Sequence, residues 1–152
     1  MNNNAEAIIK EEYIQVKKEP FPSLGISVGL KEEKNFFKWA ITIIAPDDSI
    51  YKDGIFELSI DFNELYPEQK PIVKFNTKIY HCKVSDEGHI DILSLKNWNR
   101  DKSMRHVLSD IFSLFYEQFP SKNPVSNLEI EFETDKNKFK QTAKEWVLKY
   151  AK

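Results

Sequence analysis

The stretch NFFKWAITIIAPDDSIYKDGIFELSIDF, Asn35 to Phe62, alternates apolar and polar residues in two runs separated by a segment of Pro, Asp, Ser and Gly. Phe37, Trp39, Ile41 and Ile43 fall on one side of the first run, with Phe36, Lys38, Ala40 and Thr42 on the other. Phe56, Leu58, Ile60 and Phe62 form the corresponding set in the second. A period of two would scatter apolar groups around a helix, but it lines one face of a strand. Two further runs flank the pair: GISVGL, with Ile26, Val28 and Leu30, and PIVKF, which begins at Pro71. The links KEEKN, APDDSIYKDG and YPEQKP are short and turn-rich. Four strands joined this way predict an antiparallel meander with one face buried.

Helical spacing brackets the sheet. Ala5, Ile8, Ile9, Tyr13 and Val16 predict a helix over residues 4–18, with a polar start in NAEA and a stop at Pro20 and Pro22. Met104, Val107, Leu108, Ile111, Leu114 and Phe115 make one apolar stripe behind Ser103, which is placed to cap it. Pro120 and Pro124 bracket a break, and NLEIEFE fits either strand or helix by its pattern. Phe139, Ala143, Trp146, Val147 and Tyr150 predict a last helix with Thr134 as its cap. With 152 residues, 41% of them apolar, and no repeats or linkers, the chain reads as a single α+β domain over 1–152.

Bulk properties narrow the function classes. A net charge of −2 offers no basic excess for phosphates, so nucleic acid is not an expected partner. One cysteine cannot form an internal disulfide, which suits a reducing compartment. The absence of a long apolar run predicts no membrane span, and the N-terminus is too acidic and interrupted for a signal peptide. The expectation is a soluble cytoplasmic or nuclear protein. No His, Cys and carboxylate spacing suggests a metal, His89 and His106 stand alone, and no cofactor is expected.

Several short motifs in one order carry a resemblance. They are Trp39; Pro46, Tyr51, Gly54 and Phe56 in APDDSIYKDGIF; Tyr66-Pro67 with Pro71; IYHCK at Ile79–Lys83; Trp98; and EWVLKYA at Glu145–Ala151. Together they resemble the ubiquitin-conjugating enzyme family over nearly the whole chain. The resemblance implies that family's fold: an N-terminal helix, the four-stranded meander, a central helix and C-terminal helices, with NLEIEFE helical. It also implies chemistry. Members accept ubiquitin or a similar modifier as a thioester on one cysteine and pass it to a lysine. That exchange needs a thiolate and a donor for the developing oxyanion.

This sequence departs from the family where that chemistry resides. In the family's His-Pro-Asn motif the histidine is His81, but Cys82 replaces the proline and Lys83 the asparagine. Without a gap, the thiol position holds Asp91; an alignment on Asp91-Ile92-Leu93 deletes the thiol instead. A carboxylate nucleophile would give a mixed anhydride, which water destroys far faster than a thioester. Cys82 is the candidate relocated nucleophile. His81 and Lys83 would favour its thiolate, and Asp86, Glu87 and Asp91 would oppose it. In an extended segment Lys83 and Cys82 would point to opposite faces, and a lone cysteine also serves as a small buried apolar residue. His81 is read as structural, holding the loop through backbone hydrogen bonds, and Tyr80 as a wall of the groove. Asn123, before Pro124, falls where many members carry an aspartate that helps deprotonate the incoming lysine.

The family's ligase-binding patch has apolar anchors where this chain has Glu68 and the run Asn99, Arg100, Asp101. Charges there weaken docking of the common ligases and favour a partner of complementary charge. The expected partners are ubiquitin or a ubiquitin-like protein, an activating enzyme, a ligase or another conjugating enzyme. Two readings follow. In the first, the chain is a non-catalytic relative, similar to the ubiquitin-conjugating enzyme variants but keeping the closing EWVLKYA that those variants typically lack. In the second, it is an active transferase using Cys82.

Overall fold

The computed structural model describes residues 3–19, 25–116, 131 and 134–152. Helix α1 spans Asn3–Lys18. Strands β1 (Ile26–Leu30), β2 (Lys38–Ile44), β3 (Ile55–Asp61) and β4 (Ile72–Phe75) form one antiparallel sheet in chain order. A one-turn helix α2 (Leu93–Lys96), a longer helix α3 (Met104–Ser113) and a last helix α4 (Lys136–Tyr150) complete the described elements.

Register makes the alternating pattern into a core. Val28 pairs with Ile41, Ile41 with Leu58, and Leu58 with Phe75, so one apolar row crosses all four strands. A second row runs Leu30, Trp39, Ile60, Val73. Helices cover these rows. Tyr13 of α1 meets the Trp39 ring edge-on at 5.4 Å, and Phe115, just past α3, meets Phe56 at 5.3 Å. Met104, Val107, Leu108 and Ile111 are fully buried, as their spacing predicts. Slipping any strand by one residue would turn its apolar set to water, which fixes the register.

The helix ends are tied by polar groups. Glu12 of α1 accepts from the Met104 amide at the start of α3 (2.7 Å) and from the Tyr66 hydroxyl. Ser103 does cap α3, with an unexpected partner: its amide donates to His106 Nδ1 at 3.1 Å, so a histidine takes the place usually filled by Glu in a capping box. The cap of α4 is Asp135, not Thr134. Its carboxylate accepts from the Lys138 amide at 3.0 Å and so provides one of the orphan amides with a charged acceptor. Phe139, Ala143 and Val147 of α4 are buried, Trp146 is half-buried and Tyr150 is exposed. Of NLEIEFE only Glu131 is described, in helical conformation; the rest of that expectation lies outside the described residues.

Candidate functional site

Beyond β4 the chain makes the loop that carries His81, Cys82 and Asp91. Residues His81–Val84 form a turn, closed by the Val84 amide on the His81 carbonyl at 3.2 Å. The expectation of an extended segment with Cys82 and Lys83 on opposite faces is therefore corrected. The turn is specified locally, because His81 Nδ1 accepts from the Lys83 amide at 3.0 Å and folds the backbone over the ring. A small hairpin follows. Val84 bridges Ile90, and the Asp91 amide donates to the Lys83 carbonyl at 2.8 Å. Its tip at Ser85–Gly88 closes with the Gly88 amide on the Ser85 carbonyl. Gly88 has φ +89°, and a Cβ there would lie 2.1 Å from the Phe75 carbonyl, so only glycine lets the tip press against β4. The Phe75 amide then bonds the Gly88 carbonyl at 2.9 Å and pins the hairpin.

His81 is fully buried. Its Nε2 lies 2.6 Å from the Leu114 carbonyl, and its ring stacks on Tyr51 at 5.8 Å. Since Nδ1 accepts a bond, the proton belongs on Nε2. Burial first, and then the nearby Lys83 charge, hold the imidazole down at about 4, although the Leu114 carbonyl pulls the other way. A ring with both nitrogens committed to backbone and no charge at neutral pH is a scaffold for the loop. Tyr51 is buried too, and its hydroxyl donates to the Tyr80 carbonyl at 2.6 Å. Tyr80 donates to Glu131 at 2.8 Å and packs on Phe139 and Trp146 of α4. This wall is fixed at both ends.

Cys82 is half-buried. It lies within electrostatic reach of both phenols: burial raises the Tyr51 and Tyr80 pKa values first, Glu131 raises that of Tyr80 next, and negative charge at Cys82 raises both further. Asp91 is exposed on the opposite arm of the hairpin, adjacent in backbone pairing to half-buried Lys83. Asp86 and Glu87 stand exposed at the tip, and His89 is exposed beside them. Asn123 lies outside the described residues. No group of three His, Cys, Asp or Glu able to hold a metal occurs among the described residues.

The four charged or polar positions expected to meet a partner are brought together. Arg100 Nη1 lies 2.8 Å from Glu68 Oε1, joining the segment after Tyr66-Pro67 to the segment after Trp98. The Asp101 amide donates to Asn99 Oδ1 at 2.8 Å. Beneath them Trp98 Nε1 donates to the Pro67 carbonyl at 2.9 Å and its ring packs on Tyr66 at 5.7 Å. The sequence reading passed over Leu65, which is 58% exposed beside this patch. Its place directly before the Tyr-Pro pair was the available signal. It also passed over Tyr51 and Leu114 as the clamps of His81: Tyr51 stands among the motifs of the resemblance and Leu114 in the apolar stripe of α3.

Residues 8–147 match the family model described as ubiquitin-conjugating enzyme. The chain is 30% identical over 146 residues to ubiquitin-conjugating enzyme E2 14 of Schizosaccharomyces pombe, a match covering 95% of this chain and 92% of that protein. It is 35% identical over 121 residues to ubiquitin conjugating enzyme E2 B of Dictyostelium discoideum, covering 79% and 82%. No helix among the described residues is long and apolar enough to cross a membrane.

Proposed function

The chain belongs to the ubiquitin-conjugating enzyme family, and we propose that it acts in a ubiquitin or ubiquitin-like modifier pathway as a non-catalytic binding or regulatory partner. One observation carries this reading. On either alignment that the resemblance allows, the thiol is missing from this hairpin arm: Asp91, an exposed carboxylate, stands in its place or the position is deleted, and the chain's only thiol lies in the turn at the head of the other arm. Asp91 cannot hold an acyl group against water as a sulfur does. Lys83 replaces the asparagine associated with the oxyanion, and a lysine that follows the buried, neutral His81 offers no equivalent fixed amide.

The family fold still supports recognition. Membership implies contact with a modifier and with an activating enzyme or a ligase. At the patch expected to meet a ligase, Glu68 and Arg100 satisfy one another. A partner docking there must supply charges that compete with that pair, so this face selects against apolar-anchored ligases.

The test is thioester formation. The protein is incubated with activating enzyme, ATP and ubiquitin, or in turn each ubiquitin-like modifier, and run without reductant. No adduct is expected, and binding to ubiquitin or to an active conjugating enzyme should survive Cys82→Ser. A reductant-sensitive adduct that vanishes in Cys82→Ser and persists in Asp91→Ala would instead establish Cys82 as the nucleophile and end the non-catalytic reading.

A further inference from the structure

A second concave surface lies away from the hairpin. It is a cleft of about 540 Å³ between the 49–53 turn and α4, walled by Lys52, Asp53, Asn137, Lys140, Gln141 and Lys144 among others. We propose that this cleft docks an acidic, extended peptide segment of a partner protein. The inference does not depend on whether the chain forms a thioester.

Charge is the first argument. Three lysines face one aspartate in this cleft, although the chain as a whole carries −2. The arrangement works against the helix that presents it. Lys140 and Lys144 stand one turn apart, where like charges repel. The first turn of α4 has no acidic residue and begins with Lys136 and Lys138, cations at the positive end of the helix dipole. Lys138 is compensated by Glu131 at 3.8 Å. Lys52, Lys140 and Lys144 form no ion pair among the described residues. Gln141 is engaged with Glu145 on its own helix at 3.3 Å. The uncompensated positive charge therefore converges on the cleft.

Geometry selects the ligand class. The walls are preformed. The 49–53 turn is held by the Lys52 amide on the Ser49 carbonyl and by Tyr51, anchored at Tyr80. Helix α4 is fixed through buried Phe139. Lys140 and Lys144 line the cleft from α4 and Lys52 from the facing turn. Lysine supplies no planar fork for a phosphate, and the Lys138 amide at the helix start is already taken by Asp135. A single phosphate thus finds neither a planar fork nor the Lys138 amide here. Alternate side chains of an extended peptide recur every 6.5–7 Å or so, close to the roughly 6 Å rise between Lys140 and Lys144 along a helix. Alternating carboxylates on one strand match that spacing.

The experiment is an amide-resolved NMR titration of the full chain with a short oligoglutamate peptide. Saturable shifts confined to residues 49–53 and 137–144 are expected. Lys140→Gln with Lys144→Gln should weaken binding about fivefold to tenfold, and Lys140→Arg with Lys144→Arg should retain it. Raising the salt shortens the screening length and should weaken binding in the same direction. The proposal is overturned if no saturable shift occurs or if the shifts lie elsewhere. It is equally overturned if the neutralised variant binds as before, or if inorganic phosphate binds these residues as tightly as the peptide.

Discussion

His81 Nε2 and the Leu114 carbonyl meet at 2.6 Å, across the junction between the hairpin loop and the end of α3. The contact joins two segments thirty-three residues apart in sequence. It also uses a carbonyl near the end of α3, one of the groups that a helix leaves without an internal partner. The loop is thus held by the neutral imidazole, whichever residue heads the groove.

Burial of this imidazole makes stability depend on pH in a defined window. The folded imidazole titrates at about 4 and an unfolded one near 6.5. As pH falls, the unfolded chain takes up its proton first, so the contribution is complete above about 6.5 and is lost progressively down to about 4. The loss is on the order of 3 kcal/mol. Urea denaturation at stepped pH should show it for the native chain. His81→Gln should be less stable at pH 7 and lack that component of the slope. Equal slopes for the two proteins would exclude the assignment.

Gly88 gives a conformational prediction. Any side chain must take φ +89° and place a Cβ against the Phe75 carbonyl. Gly88→Ala should cost about 3 kcal/mol and unpin the hairpin tip, so the Phe75 amide should exchange with solvent faster. Hydrogen exchange at Phe75 combined with denaturant midpoints measures both. A stable variant with unchanged protection would show that the tip tolerates a Cβ.

What could be read from sequence follows from how local each interaction is. The four strands were legible because Trp39, Ile41, Phe56 and Leu58 announce themselves by period alone, and the register follows once one face must be buried. The turn at His81–Val84 was not legible, because it is set by the His81 ring folding back on the Lys83 amide, a contact that no periodicity encodes. The cap of α4 moved from Thr134 to Asp135 because both are good N-caps and only backbone geometry chooses between adjacent candidates. Glu68 and Arg100 could each be singled out, but their pairing belongs to the tertiary fold.

Glu12 offers a second pH dependence of opposite sign. Its carboxyl is raised above 4.5 by burial, against the Tyr66 hydroxyl, the Met104 amide and the His106 charge, all of which favour the ion. Above 4.5 the folded chain keeps the proton longer than the unfolded one, so stability from this group falls as pH rises through the folded value. Glu12→Gln keeps an acceptor for Met104 and a partner for Tyr66 and should remove that fall at little cost at pH 7. Glu12→Ala leaves both donors unpaired and should cost about 2 kcal/mol. Matching losses for the two variants would show that the carboxylate's charge, and not its hydrogen bonding, ties α1 to α3.

The Glu68–Arg100 pair should contribute little to folding despite its 2.8 Å contact. Both side chains are about two-thirds exposed, 64% and 65%, so water and salt screen the attraction. Glu68→Ala is expected to change stability by under about 0.5 kcal/mol, with no added loss in high salt. The patch is held from beneath: Trp98 bonds the Pro67 carbonyl and packs on Tyr66. Trp98→Ala should therefore cost about 3 kcal/mol. The pair's effect belongs in partner choice. Reversing Glu68→Arg alone should reduce binding of any partner that uses this face, and the exchange Glu68→Arg with Arg100→Glu should restore the folded patch without restoring that partner. If denaturation shows Glu68→Ala to be as costly as Trp98→Ala, the charges are structural and the face is not free to select a partner by charge.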